Sequence, residues 1–214
     1  MHTNRVEAFS DGIVAIIMTI MVLEFELPDI KKEATSQSIQ HHLVDLLPYF
    51  GTYAFSFLMI AILWTNHHQL FHLLAKIDSV VLWLNFAYIF LISFIPFATA
   101  LLAANHALST SVAFYGLVLL CATLSLAIMR NYALKHKLLH KDADKELTHE
   151  IFYVFKRART KSVIGTLTYL VGIPLAFLNV YLAYVCFLAP PILFFLPDGI
   201  DNEELAEKVA EKNA

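Results

Sequence analysis

Histidines at helical spacing are the first residues in this chain that suggest chemistry. Of its ten histidines, His68 and His72 lie four residues apart, and so do His136 and His140. Two histidines one helical turn apart can bind the same metal ion. A histidine-ligated membrane enzyme, however, needs a fuller set of histidine boxes than the sequence contains. We therefore expect these histidines to lie on the surface or in hydrogen-bond networks, with no resident metal, no cofactor and no enzymatic activity.

A second group of polar residues interrupts segments that are otherwise apolar. Its members are Arg5, Ser10, Asp11, Trp64, Asn66, His67, His68 and Asn85. If these segments are membrane-spanning helices of alternating direction, a rise of about 1.5 Å per residue places the group in one layer. Polar side chains inside a membrane usually form packing networks or mark a pathway for ions or protons. Both interpretations are open from the residues alone: a network that joins three helices, or a direct role in transport.

The elements that would position these residues are transmembrane helices. Hydrophobic residues make up 58% of the 214 residues and charged residues 15%, whereas soluble domains carry about 25% charged residues. Asp, Glu, Lys and Arg are absent from 12–23, 46–75, 79–129 and 162–197, and a helix needs roughly 20 apolar residues to cross the hydrocarbon core. The composition predicts an all-α integral membrane protein. A net charge of −3 gives no indication of nucleic-acid binding.

The apolar segments divide into six predicted spans within residues 1–197. The spans cover about 6–27, 46–75, 79–104, 108–136, 158–174 and 180–196, and a short tail follows at 198–214. The charged segment 135–161 is predicted to lie between the fourth and fifth spans. Short loops rich in Lys and Arg stay on the cytoplasmic side, and only Lys31 and Lys32 fall on the other side of this topology. Both termini are therefore expected to be cytoplasmic.

One face of the first predicted helix carries a hydroxyl group among apolar residues. Helical periodicity aligns Gly12, Ile16, Thr19, Ile20 and Leu23 on a single stripe. By periodicity alone the stripe is ordinary buried packing, because a threonine in an apolar helix often donates to the carbonyl four residues earlier. Periodicity does not separate packing from a functional role.

The segment 5–12, Arg-Val-Glu-Ala-Phe-Ser-Asp-Gly, opens the first predicted span and resembles the signature of the transmembrane protein 175 family, potassium channels of lysosomes and bacteria. Further positions in the second and third spans fit the same pattern: Trp64, His67, Phe71, Asp78, Leu-Trp-Leu-Asn at 82–85 and Ser-Phe-Ile-Pro-Phe at 93–97. These specific motifs stop near Leu101, and the remaining spans match the family by hydropathy only. Like the bacterial members, the chain carries one six-helix unit.

The resemblance implies a potassium-selective channel in the inner membrane of a bacterium. Passive flux of K⁺, the permeant ion, would pass through a homotetramer in the lipid bilayer whose central pore is lined by helix one. Three residues of the stripe would form hydrophobic constrictions, namely Ile16, Ile20 and Leu23, and Thr19 would contribute to selectivity. The network implied by the family contains Arg5, Phe9, Ser10, Asp11, Trp64, His67 and Asn85. The alternative is a proton-coupled transporter that uses Asp11 and His67.

Overall fold

The structure, a computed structural model, describes residues 3–24, 36–139 and 145–195. Its elements are α1 (Thr3–Ile20), continued by a 3-10 turn (Met21–Glu24), α2 (Ser36–Asp45), α3 (Leu47–His72), α4 (Ser79–Ile92), α5 (Ile95–Ala104), α6 (Ser109–Lys135), α7 (Lys145–Leu178) and α8 (Val180–Phe195). The predicted all-α fold is confirmed for this part of the chain. Parts of the prediction lie outside the described residues: the tail 198–214, the end of the first span at 25–27, and Lys31, Lys32 and His140.

Five helical stretches within the described residues are long and apolar enough to cross a membrane. They are Thr3–Leu23, Leu47–His72, Ser79–Ala104, Ser109–Lys135 and Arg159–Leu178. A sixth apolar stretch, Val180–Phe194, is shorter. The helix that contains it, α8, has 16 residues, whereas a crossing needs roughly 20. Helix length therefore supports five of the predicted spans, and α8 occupies the position of the sixth.

Two predicted spans differ in form from the helices that the structure contains. The third, 79–104, is divided after α4 at Ser93, because Pro96 in the first turn of α5 lacks the backbone N–H that a continuous helix would use. The fifth was predicted at 158–174, but α7 begins at Lys145 and continues through Pro174 to Leu178. The apolar stretch within α7, Arg159–Leu178, lies close to the predicted span. The helix is longer than this stretch because charged residues also form helices, and it continues past Pro174 because neighbouring helices let a transmembrane helix tolerate proline.

The helices pack around α6, which contacts α4, α5 and α7, while α8 packs against α7. Gly116 of α6 and Gly172 of α7 admit the ring of Phe187 from α8, which is fully buried. A Cβ atom on Gly172 would lie 2.6 Å from Cε1 of Phe187, so a larger residue would push the helices apart. The first helix, α1, packs mainly against α3 and α4. Among the described residues, only one side of α1 is therefore covered by other helices.

Candidate pore-lining helix and its polar network

The buried face of α1 is set by apolar residues at helical spacing. Val14, Ile17 and Met21 are 2%, 6% and 1% exposed. They follow one another at intervals of three and four residues, so they form one side of the helix. This side packs on α3 and α4 and fixes which way the remaining residues of α1 point.

The opposite side of α1 carries the residues predicted to line a pore. Ile16, Ile20 and Leu23 are 55%, 42% and 76% exposed, and Thr19 is exposed among them. We call these four residues the outer face of α1. The Thr19 hydroxyl is 3.0 Å from the carbonyl oxygen of Ala15 and 2.9 Å from that of Ile16, so its hydrogen is donated within the helix. The oxygen lone pairs of Thr19 remain on the outer face.

Three fully buried polar side chains join α1, α3 and α4 behind the outer face. Asn85 Nδ2 donates to Ser10 Oγ over 2.9 Å, and His67 Nε2 lies 2.7 Å from Asn85 Oδ1. Ser10 Oγ donates in turn to the carbonyl of Val6 over 2.8 Å. The hydrogen bonds therefore have one direction: His67 donates to Asn85, Asn85 donates to Ser10, and Ser10 donates to the backbone.

The ring of His67 is held between two aromatic rings. It stacks on Phe71 with centroids 4.3 Å apart, and on Tyr88 with centroids 5.0 Å apart and an interplanar angle of 7°. These contacts fix the ring plane and point Nε2 toward Asn85. His67 is thus a rigid part of the packing between α3 and α4.

Asp11 forms a second connection between α1 and α3. Its Oδ1 accepts a hydrogen bond of 2.8 Å from the indole Nε1–H of Trp64. A carboxylate that accepts from an N–H forms one of the stronger classes of hydrogen bond. Because Ser10 and Asp11 are adjacent, consecutive residues of α1 are bound to two different helices, α4 and α3.

Arg5 and Phe9 lie beside this network on the exposed side of α1. The ring of Phe9 meets that of Phe86 in α4 edge to face, with centroids 6.1 Å apart. Arg5 is exposed, and within the described residues it makes no hydrogen bond to the other members. Five of the seven predicted network residues are therefore joined by hydrogen bonds, Phe9 contacts the ring of Phe86, and Arg5 is exposed beside them.

Asn66, predicted in the same layer, faces a buried arginine instead. Arg130 of α6 is 2% exposed; its Nη1 donates to Ser162 Oγ over 2.6 Å, and its Nη2 lies 3.5 Å from Asn66 Oδ1. Arg130 was not among the residues predicted in this layer. Its position inside the predicted fourth span, 108–136, was the signal that it belongs to the core.

A cluster of possible metal ligands lies where the start of α1 meets the end of α3. Single ligand atoms of Glu7, His68 and His72 lie within 4.8 Å of one another. The pair His68–His72 was recognised from its spacing, but Glu7 was not, because it lies about sixty residues away in the sequence. His136 of the other predicted pair stacks on Tyr132 with centroids 4.1 Å apart.

Asp78 caps α4 outside the apolar spans. Its Oδ1 accepts from the backbone N–H of Val81 over 2.8 Å, and its Oδ2 accepts from the hydroxyl of Tyr132 over 2.9 Å. Partial burial of Asp78 acts to raise its pKa, but these hydrogen bonds and the nearby His136 together hold the pKa below the ordinary value of 3.8. Asp78 thereby joins the start of α4 to the end of α6.

Comparison with known proteins gives consistent matches. The family model described as endosomal/lysosomal potassium channel TMEM175 matches residues 5–96. A potassium channel of Chryseobacterium sp. (strain P1-3) is 33% identical over 207 residues, which are 97% of this chain and 100% of that protein. The endosomal/lysosomal proton channel TMEM175 of Danio rerio is 29% identical over 71% of this chain, but this match spans only 29% of the zebrafish protein.

A solved structure agrees with the fold. The crystal structure of a lysosomal potassium-selective channel TMEM175 homolog from Chamaesiphon minutus matches with a TM-score of 0.69 and 28% identity, over 88% of this chain and 94% of that one. The matching bacterial proteins are named as channels, which agrees with the expectation that this chain is not an enzyme. The match along the whole bacterial relative, together with the family model over residues 5–96, shows that this chain belongs to the TMEM175 family.

Proposed function

We propose that the protein is a potassium-selective channel, in which four copies of the chain surround a pore lined by the outer faces of α1. The observation that carries this proposal is the division of α1 into a face fixed by buried packing and an exposed apolar face with one hydroxyl group. The bacterial relative and the solved homologue, both named as potassium channels, support it.

A single α1 cannot enclose a pore, so the proposal requires assembly. Closed rotational symmetry would bring several copies of one helix around a common axis. Rings of Ile16, Ile20 and Leu23 would then form apolar constrictions, which pass an ion only when they widen and fill with water. The lipid bilayer surrounds the remaining apolar surfaces. The distribution of Lys and Arg supports a bacterial inner membrane with both termini in the cytoplasm.

Thr19 would supply the polar contact within these constrictions. Its hydrogen is donated to the helix backbone, so its oxygen can accept a cation without losing that bond. Potassium releases its hydration water more readily than sodium does, and a ring of hydroxyl oxygens can replace part of the lost water. This arrangement favours K⁺ by partial dehydration and needs no ring of backbone carbonyls.

The geometry around His67 weighs against the alternative of a proton-coupled transporter that uses Asp11 and His67. Between His67 and Ser10 lies the side-chain amide of Asn85, and an amide does not readily accept and release protons. The chain of hydrogen bonds then ends on a backbone carbonyl. Asp11 is bound separately, by Trp64. These contacts favour a network that positions α1.

Proton permeation through the same pore is a second candidate activity. It is favoured by the name of the zebrafish relative, a proton channel. Such flux would need a file of water molecules through the widened constrictions. The two activities are separated by the ion that crosses the membrane, so one assay can measure both.

The test is ion flux in liposomes that contain the purified protein, measured with K⁺, Na⁺ and pH indicators, beside its oligomeric state. We expect a tetramer with K⁺ flux greater than Na⁺ flux. Ile16→Asn should raise the flux by making the constriction easier to wet. Its matched control is Ile128→Asn on α6, since Ile128 is 54% exposed and is not on the outer face of α1.

Thr19→Val should reduce the preference for K⁺ over Na⁺, because it removes the hydroxyl while keeping the shape. Thr52→Val is its control, since Thr52 also donates to a carbonyl of its own helix, that of Pro48. A monomer in detergent and lipid, or equal effects of Ile16→Asn and Ile128→Asn on flux, would overturn the assignment of the pore face.

A further inference from the structure

We infer that Glu7, His68 and His72 form a binding site for a divalent transition-metal ion, with Zn²⁺ as the expected ligand, that links the start of α1 to the end of α3. The donor set is two imidazole nitrogens and one carboxylate oxygen. Zinc is bound in this way in sites that keep a fourth position for water. Imidazole donors favour zinc and its neighbours over potassium, which prefers oxygen ligands, so this site would bind a different ion from the proposed permeant one.

The distances between the donor atoms fit a shared metal ion. His68 Nδ1 lies 3.1 Å from Glu7 Oε1, and His72 Nε2 lies 3.7 Å from the same oxygen and 3.0 Å from His68 Nε2. Two ligands bound to zinc at about 2.05 Å in a tetrahedral arrangement are about 3.3 Å apart. Only one nitrogen of His68 can bind the ion, and one donor atom from each of the three side chains lies within 4.8 Å of the other two.

Two of these donor atoms are close together without being hydrogen-bonded. Within the described part of the chain, Glu7 Oε1 and His68 Nδ1 are buried and have no hydrogen-bond partner, although they are 3.1 Å apart. The reason is alignment, since the ring N–H does not point at the oxygen. An ion pair alone would leave both atoms poorly satisfied, which is costly in a buried position. A metal ion between them would satisfy both.

The surroundings hold the donors and leave the site accessible. Trp64 stacks on His68 with ring centroids 5.1 Å apart, and its indole N–H is bound by Asp11. Groups that orient a ligand raise its affinity for metal. The side chain of Glu7 is 14% exposed and that of His72 is 50% exposed. His72 ends α3, so an ion can enter from the aqueous side.

The experiment is a titration of the full-length detergent-solubilised protein with Zn²⁺, combined with metal analysis after removal of excess ion. We expect about one tightly held Zn²⁺ per chain. Glu7→Gln and His72→Gln should each weaken binding at least tenfold, because even outer-shell changes cost about 10–100-fold. The control is His106→Gln, which removes an exposed histidine between the spans and should leave this site unchanged.

Two further measurements test whether a variant loses zinc binding only because it is misfolded. Elution volume and melting temperature without metal should be the same for Glu7→Gln and the unchanged protein, which shows that the variant is folded. Zn²⁺ should raise the melting temperature of the unchanged protein but not that of Glu7→Gln. Equal affinity in all the variants, or binding lost only in His106→Gln, would overturn the site. None of these measurements depends on ion flux, so the channel proposal stands or falls separately.

Discussion

Replacement of Asn85 by alanine tests whether the buried network holds α1 in place. Asn85 is fully buried and makes two hydrogen bonds to other helices, one to Ser10 and one to His67. Asn85→Ala removes both at once and leaves two buried polar groups without these partners. It also leaves a cavity between α1, α3 and α4. We therefore expect Asn85→Ala to be among the more destabilising single changes in the chain.

The loss in the free energy of unfolding expected for Asn85→Ala has a lower and an upper bound. Hydrogen bonds between transmembrane helices contribute about 0.6 kcal/mol on average and about 1.7 kcal/mol at most, so two bonds set a lower bound of about 1 kcal/mol. A buried polar group that loses its hydrogen-bond partner costs about 1–3 kcal/mol. Asn85→Ala leaves two such groups, on Ser10 and His67, so the upper bound is about 6 kcal/mol. We expect roughly 2–4 kcal/mol, which corresponds to a fall in melting temperature of about 5–15 °C for a chain of this size.

The assay is thermal unfolding of the detergent-solubilised protein, with the yield of assembled protein measured in parallel. Asn105→Ala is the matched control, since the side chain of Asn105 donates to the carbonyl of Leu101 at the end of its own helix and, among the described residues, to no other helix. It should change stability by less than about 1 kcal/mol. A double-mutant cycle with Ser10→Ala should give a coupling energy of at least about 0.5 kcal/mol. If Asn85→Ala is no worse than Asn105→Ala, or if the coupling is zero, the network does not position α1.

Two further predictions concern other parts of the fold. Gly172→Ala should destabilise the protein by about 1–3 kcal/mol, because its Cβ atom would lie 2.6 Å from Phe187 Cε1. Gly51→Ala, where no atom lies within 4 Å of the added Cβ, should be neutral in the same melting assay. Since the pKa of Asp78 is lowered in the folded protein, its stabilising effect should be complete above pH 3.8 and be lost as the pH falls through the lowered pKa. Asp78→Asn should therefore make the melting temperature less sensitive to acid below that pH, and an unchanged acid response would contradict this role.

The depth of each residue along its predicted helix was enough to predict that the network residues share one layer. Ser10, Trp64 and Asn85 lie on three spans of alternating direction, so similar distances from one membrane face placed them in one layer. The individual pairs were not predictable in this way, because depth does not determine which side of a helix a residue occupies. Asn66 has nearly the same depth as His67 and yet faces Arg130, since successive residues of a helix point about 100° apart.

The sequence predicted which segments form helices better than it predicted the residues at which those helices begin and end. Apolar length identifies where a helix can cross a membrane, but α7 begins at Lys145, among charged residues that precede its apolar part. Proline had opposite effects at two positions. Pro96 accompanies the break between α4 and α5, whereas Pro174 lies inside a continuous α7. Packing against neighbouring helices decides whether a helix breaks at a proline or continues through it. This packing cannot be read from a single sequence.

The rotation of α1 about its own axis determines both which of its polar residues join the buried network and which of its residues form the outer face. Ser10 is bound to α4 and its neighbour Asp11 to α3, and these two side chains leave the helix about 100° apart. Two bonds in different directions fix the rotation of α1 about its axis, which one bond would not. A shift by one residue, about 100°, would change which residues of α1 face the core and which are exposed. The polar residues that the membrane makes costly therefore determine which apolar residues of α1 are left exposed, so changes at Ser10 or Asp11 should alter the proposed pore although neither residue is on the outer face.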